Sequence, residues 1–139
     1  MAFQGEREHR RARLLPAFLL LLLAEGDRYG AELVAQLEEV VHPWPIDRGA
    51  VYRVLRDLEE SGQVVSRWEP GEGGPPRRFY QIEPEGLTAL ARWDEDIAAR
   101  RRNLAIFARR YRRLPESAGV RKHSRSGAAP GRARKGEGT

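Results

Sequence analysis

The sequence predicts a mainly α fold with one small β-hairpin (α+β), continued by a long C-terminal helix. Three observations predict it. A continuous apolar run over Leu14–Ala24 and two stretches with apolar residues at helical spacing follow one another, each ended by glycine or proline. Two short runs rich in Val, Trp, Phe and Tyr follow, divided by a Gly/Pro-rich stretch. A seven-residue apolar repeat then runs to Leu114. At 139 residues the chain is one domain's worth with an extension.

The first helix is expected over Leu14–Glu25. Residues 1–13 then form an N-terminal arm, and Pro16 is tolerated in the first turn. Its run Leu14–Ala24 is apolar all round, which calls for burial on most sides. Eleven residues fall well short of the roughly 20 that span a bilayer. Arg10, Arg11 and Arg13 precede the run as in a targeting segment, but no small-residue cleavage site follows, so a buried core helix is the reading. The second helix covers Gly30–Val41, with Leu33, Val34, Leu37, Val40 and Val41 inward, and Pro43 and Pro45 stop it.

The third helix opens at Asp47 as N-cap and closes at Ser61-Gly62, with Val51, Val54, Leu55 and Leu58 as its buried stripe. Strands are expected over Gln63–Trp68 and Arg78–Ile82, with Glu69–Pro76 as a loop. Three helices followed by a hairpin is the order of a winged helix-turn-helix, here over residues 14–83. A long helix over residues 84–114 comes next. Its Leu90, Ile97, Leu104 and Tyr111 repeat every seven residues, and Trp93, Phe107 and Leu114 sit three further on, with Arg100 in the remaining slot. A 3.5-residue period pairs helices, so Leu90, Trp93, Ile97, Leu104, Phe107 and Tyr111 are the expected dimer seam. Residues 115–139 hold almost no large apolar side chains and read as a disordered basic tail.

Composition narrows function. Residues 1–114 carry 19 basic and 18 acidic side chains, and residues 115–139 carry six and two, so most of the +5 net charge belongs to the tail. Nucleic-acid binding must therefore rest on where charges sit. Arginine outnumbers lysine 23 to 2, a bias that GC-rich coding alone can produce. The absence of cysteine excludes disulfides and thiolate metal sites and fits a cytoplasmic protein. His9, His42 and His123 are scattered, and no nucleophile triad, paired carboxylate site, phosphate loop or metal spacing is evident. No enzyme activity, cofactor, metal or membrane association is expected.

The third helix carries the candidate chemistry. Arg48, Tyr52 and Arg56 recur every four residues with Arg53 beside them, opposite the apolar stripe. An exposed helix with arginine near its start suits the major groove of double-stranded DNA, where arginine bonds guanine O6 and N7 together. Gly49 and Ala50 are small enough for close backbone approach. Arg77 and Arg78 follow Pro75-Pro76 and can grip phosphate or reach a minor groove, although Glu69 and Glu72 oppose a strongly basic wing. A solvated charged face is the plainer account of the arginines on the third helix, whereas a phosphate contact is the expectation for Arg77 and Arg78.

The ordered strings Tyr29-Gly30-Ala31-Glu32-Leu33, the run from Ala50 to Trp68, and Arg77-Arg78-Phe79-Tyr80 through Glu85-Gly86 resemble the PadR family of bacterial transcriptional regulators over about residues 17–95. The resemblance implies a homodimeric winged helix, most often a repressor, with one recognition helix per half-site of an inverted repeat and a C-terminal dimerisation helix. It places Tyr29, at the opening of the second helix, among the DNA-binding residues. A single long helix after the wing fits the short branch of the family. Two departures stand out. Asp47-Arg48-Gly49-Ala50-Val51-Tyr52-Arg53 replaces a common Ser-Pro-Gly-Thr-Leu-Tyr-Pro run, which shifts the operator sequence, and Glu83 replaces a common threonine. Some short members bind flat hydrophobic drugs between paired tryptophans; Trp93 lies one turn early for that role, and packing is its plainer use. The expectation is a repressor on a pseudo-palindromic operator, released by a small hydrophobic effector. The alternative is a winged-helix protein–protein interaction module without specific DNA binding.

Overall fold

The structure, a computed structural model, describes residues 2–41 and 45–116, with side chains from residue 14 onward. Its elements in order are α1 (Ala2–Glu25), β1 (Arg28–Tyr29), α2 (Gly30–Val40), α3 (Arg48–Glu60), β2 (Val64–Gly71), β3 (Gly74–Ile82) and α4 (Pro84–Arg112). They divide between two compact units, Met1–Glu95 and Asp96–Thr139, with the boundary inside α4. The first unit is a winged helix: three helices and a three-stranded antiparallel sheet in the order β1-β3-β2.

The core is built from the expected stripes. Leu19, Leu20 and Leu23 of α1 meet Leu33, Val34 and Leu37 of α2 and Val51, Leu55 and Leu58 of α3; Val64, Tyr80 and Ala89 complete the cluster. Each such leucine contributes roughly 1.5–3 kcal/mol by leaving water. Leu90 and Trp93 of α4 are partly buried against this same core. The first two positions of the heptad seam therefore already pack on their own domain. Further along α4, in the second unit, Leu104 is 67% and Phe107 68% exposed. Phe107 stacks on Tyr111 with ring centroids 6.2 Å apart.

The ends of α3 follow its sequence closely. Asp47 Oδ1 accepts the Gly49 N–H at 3.0 Å, the N-cap bond that satisfies a free helical donor. At the other end, the Gly62 N–H bonds the Glu59 carbonyl and the Gln63 N–H bonds the Leu58 carbonyl, with Gly62 at φ 78°. That pairing is a Schellman motif and needs the left-handed residue that glycine provides.

The structure corrects several sequence expectations. α1 starts at Ala2, so the stretch expected as an arm over residues 1–13 is largely helical and Pro16 lies inside the helix. On α2, Val40, expected inward, is exposed. The Glu69–Pro76 segment is mostly strand: β2 and β3 pair out to Gly71↔Gly74, leaving a Glu72-Gly73 turn. An irregularity between Glu69 and Gly71 sets Pro70 against Pro75 and Pro76. A bulge there frees proline from the ladder donors it lacks, which is how the hairpin tolerates three prolines. The short strand β1 was not foreseen; it pairs Arg28 with Tyr80 and Tyr29 with Phe79. Of the expected tail, residues 117–139 lie outside the described residues. Among the described residues no helix is long and apolar enough to cross a membrane.

Candidate nucleic-acid interface

With Val51, Leu55 and Leu58 buried, the opposite face of α3 is open: Arg48, Gly49, Tyr52, Arg53 and Arg56 are exposed and Ala50 is half-buried. Arg53 lies 4.0 Å from the Asp47 carboxylate. Both side chains are more than half exposed, and such a pair holds a guanidinium only weakly.

Between α3, the start of α2 and the wing lies a cleft of about 450 Å³, lined by Tyr29, Tyr52, Arg56, Arg77, Arg78 and Trp68 among others. It brings together five of the sequence-selected residues. Arg48, Gly49, Ala50 and Arg53 are not among its lining. Tyr52 turns its ring onto Gly30: a Cβ at residue 30 would stand 2.9 Å from Tyr52 Cε1 and 3.1 Å from its hydroxyl. Glycine is needed at the opening of α2 because the tyrosine of α3 occupies that space.

Arg77 and Arg78 are neighbours in sequence with different surroundings. The Arg77 guanidinium lies 3.9 Å from the centroid of the Tyr29 ring, and Arg77 is exposed. Tyr29 also meets Phe79 edge-on at 4.9 Å and donates its hydroxyl to Glu69 Oε1 at 2.6 Å. Arg67 donates its Nε to Glu69 Oε2 at 3.0 Å. The Tyr29 hydroxyl bond, reinforced by Arg67, holds the Glu69 carboxyl below its usual range. The same bond to a carboxylate pushes the Tyr29 phenol up. Arg78 is half-buried. Its Nε donates to Ser66 Oγ at 2.9 Å, its guanidinium lies 3.5 Å from Glu59 Oε1, and it sits 5.1 Å from the Trp68 ring centroid. Ser66 donates in turn to the Glu59 carboxylate. Arg78 thus ties the wing to the last turn of α3. Burial pushes the nearby Tyr80 phenol up.

The Transcriptional regulator PadR-like family model matches residues 19–92, more than half of the chain. The chain belongs to the PadR-like family. A probable transcriptional regulator of Mycobacterium tuberculosis is 30% identical over 80 residues, covering 57% of this chain and 42% of that protein. The chain thus spans less than half of that relative's length. A PadR family transcriptional regulator from Eggerthella lenta is 27% identical with a TM-score of 0.61, covering 77% of this chain and 88% of that one. Bacillus subtilis PadR in complex with operator DNA is 23% identical with a TM-score of 0.54, covering 58% of this chain and 46% of that one. At that identity the likeness to the DNA complex is one of fold.

In this PadR-like chain Glu59, Ser66, Arg67 and Phe79, part of the clamp around Tyr29 and Arg78, escaped the sequence reading, and Glu69 was read only as opposing a basic wing. Their signal is the hairpin register. Once the turn is placed at Glu72-Gly73, Glu69 falls opposite Arg77 and Trp68 opposite Arg78, and opposed cross-strand charges attract. Among the described residues no group of three or more His, Asp or Glu side chains could hold a metal ion.

Proposed function

We propose that this chain regulates transcription by binding double-stranded DNA as a homodimer, with α3 of each copy in the major groove of one half of a pseudo-palindromic operator. The observation that carries the reading is the exposed arginine and tyrosine face of α3, set beside a cleft that the wing closes. Arg48, Arg53 and Arg56 are the base-reading candidates, because guanidinium matches the paired acceptors of guanine. Gly49 and Ala50 allow close approach of the helix. Tyr29, Tyr52 and Gly30 fix the angle between α2 and α3. Arg77, stacked on Tyr29, is the wing's phosphate contact, and Arg78 acts by holding the wing in place.

Dimerisation is assigned to α4. Ile97, Leu104, Phe107 and Tyr111 continue the seven-residue repeat beyond the part occupied by Leu90 and Trp93, and two of these four are more than two-thirds exposed. The packing of Trp93 on its own core supports a structural use of that ring over an effector platform. Repression follows if the operator overlaps a promoter, since a bound dimer then excludes polymerase. Footprinting of the purified protein on DNA flanking its own gene tests the whole reading. Two protected half-sites about 34 Å apart are the expected outcome. Retention with no protected site, together with salt-insensitive binding to a protein partner, would favour the interaction-module reading instead.

A further inference from the structure

The DNA-reading unit is acidic. Residues 1–95 carry twelve arginines against seventeen carboxylates, whereas residues 96–116 carry seven arginines against two carboxylates. A boundary at residue 115 averages the two to near neutrality. The structure divides the chain at Asp96, where the second compact unit begins. The charge changes sign at the same place.

The described part of that second unit, residues 96–116, holds the end of α4 and the turn after it, and all seven of its arginines are exposed. At 3.6 residues per turn, Arg102, Arg109 and Arg113 fall on one line, with Arg101 and Arg112 on one flank and Arg110 on the other. The line of Ile97, Leu104, Phe107 and Tyr111 runs along the opposite side. Arg100 is the exception: it lies within the apolar line and its guanidinium is 2.9 Å from Asp96. Six like charges on one helix face repel one another. Only those in the last turn gain from the helix dipole. Folding alone gives little reason for such a face, whereas a polyanion does.

We infer that the arginine face of α4 (Arg101, Arg102, Arg109, Arg110, Arg112 and Arg113) is a second, sequence-independent contact for the phosphates of duplex DNA. This rests on the DNA-binding reading above and deepens it. α3 supplies discrimination from within a domain whose net charge repels DNA, and α4 supplies the attraction. An anionic membrane surface is the other polyanion such a helix can meet. The narrow seven-residue apolar line favours DNA, because its period suits a partner helix, whereas lipid binding asks for a broad apolar face.

The test compares three proteins: wild type, Arg102→Gln/Arg109→Gln/Arg110→Gln/Arg113→Gln, and the same four positions changed to Lys. Binding is titrated with salt on the protein's own upstream DNA and on a random-sequence duplex of equal length. Each phosphate contact contributes about 0.9 to the log–log salt slope. Loss of four contacts should lower that slope by about 3.6 on both duplexes, so the affinity lost between about 50 and 200 mM salt shrinks about 150-fold. The Lys variant should keep the wild-type slope. An unchanged slope and affinity in the Gln variant, with its oligomeric state intact by sedimentation, overturns the inference while leaving the DNA-binding reading standing. Absence of wild-type binding to either duplex sinks the DNA-binding reading itself. Loss of binding to phosphatidylserine vesicles with DNA binding untouched assigns the face to membrane and also overturns the inference.

Discussion

Changing Arg78 separates a DNA contact from a structural tie, because the two roles leave different traces. Arg78→Ala removes three interactions at once. The pair with Glu59 is 3.5 Å long with both side chains more than a quarter exposed, which puts it in the range of about 0.2–1 kcal/mol for solvent-screened pairs. The bond to Ser66 is 2.9 Å and adds roughly 0.5–1.5 kcal/mol. The guanidinium over Trp68 at 5.1 Å adds roughly 0.5–1 kcal/mol at a partly exposed site. These overlap, since one side chain makes them all, so the expected loss is about 1–2 kcal/mol. A loss of 1 kcal/mol lowers the melting temperature of a domain this size by roughly 4–8 °C. The assay is thermal or urea unfolding of wild type, Arg78→Ala, Glu59→Ala and the double variant. The double variant should be less destabilised than the sum of the singles by about 0.5–1 kcal/mol. Arg78→Ala should also leave the salt slope of DNA binding unchanged, whereas a phosphate contact would lower it by about 0.9. Strict additivity with a lowered slope would refute the tie and return Arg78 to the DNA-contacting set.

Arg53→Ala and Arg56→Ala should each weaken binding to the operator by roughly 1–3 kcal/mol while leaving binding to random duplex nearly unchanged; parallel anisotropy titrations on the two duplexes check this. Glu69 carries a lowered pKa, set first by the Tyr29 hydroxyl bond, so its contribution is present above the ordinary carboxylate value and lost as pH falls through the folded one. Tyr29 carries a raised pKa, so its share is present below the ordinary phenol value and lost as pH rises through the folded one. Glu69→Gln should therefore flatten the acid side of a stability–pH profile; a profile identical to wild type counts against the clamp. Phe107→Asp should shift the protein toward monomer in sedimentation and weaken operator binding together with it; an unchanged dimer would remove α4 as the assembly element.

α2 and α3 were legible because each carries its own period and its own stops, whereas α1 starts twelve residues before its apolar run, where no apolar period marks it. Asp47 and Gly62 bracket α3 within a residue, and its three buried positions follow from spacing alone. The hairpin was harder. Its glycines and prolines read as loop by composition, yet a bulge beside Pro70 and a turn at Glu72-Gly73 let both strands run through them. β1 was illegible because two residues show no alternation, and their pairing with β3 is a long-range event. The candidate site was half visible. Local sequence pointed to the arginines of α3, but nothing local shows that Arg78 faces Glu59 or that Tyr29 lies under Arg77. Those contacts depend on strand register and on where α2 begins.

The residues that made the family legible are mostly parts of one scaffold. Gly30 makes room for the ring of Tyr52, and Tyr29 is held between Arg77 and Phe79 and bonded to Glu69. At the start of α4, Gly86 sits so near the Gln63 carbonyl that a Cβ there would collide with it. Each piece sets the angle between α3, the wing and the neighbouring helices. Arg48 and Arg53 stand outside that scaffold on exposed turns of α3, Arg53 held by a weak pair with Asp47. A chain can therefore keep the geometry of the fold while changing what it reads. The same separation extends to charge: if the far end of α4 supplies the attraction to DNA proposed above, the acidic winged helix stays bound only where the contacts of α3 are right. A reading domain without a net positive field has low affinity for arbitrary sequence, and discrimination then depends on few side chains.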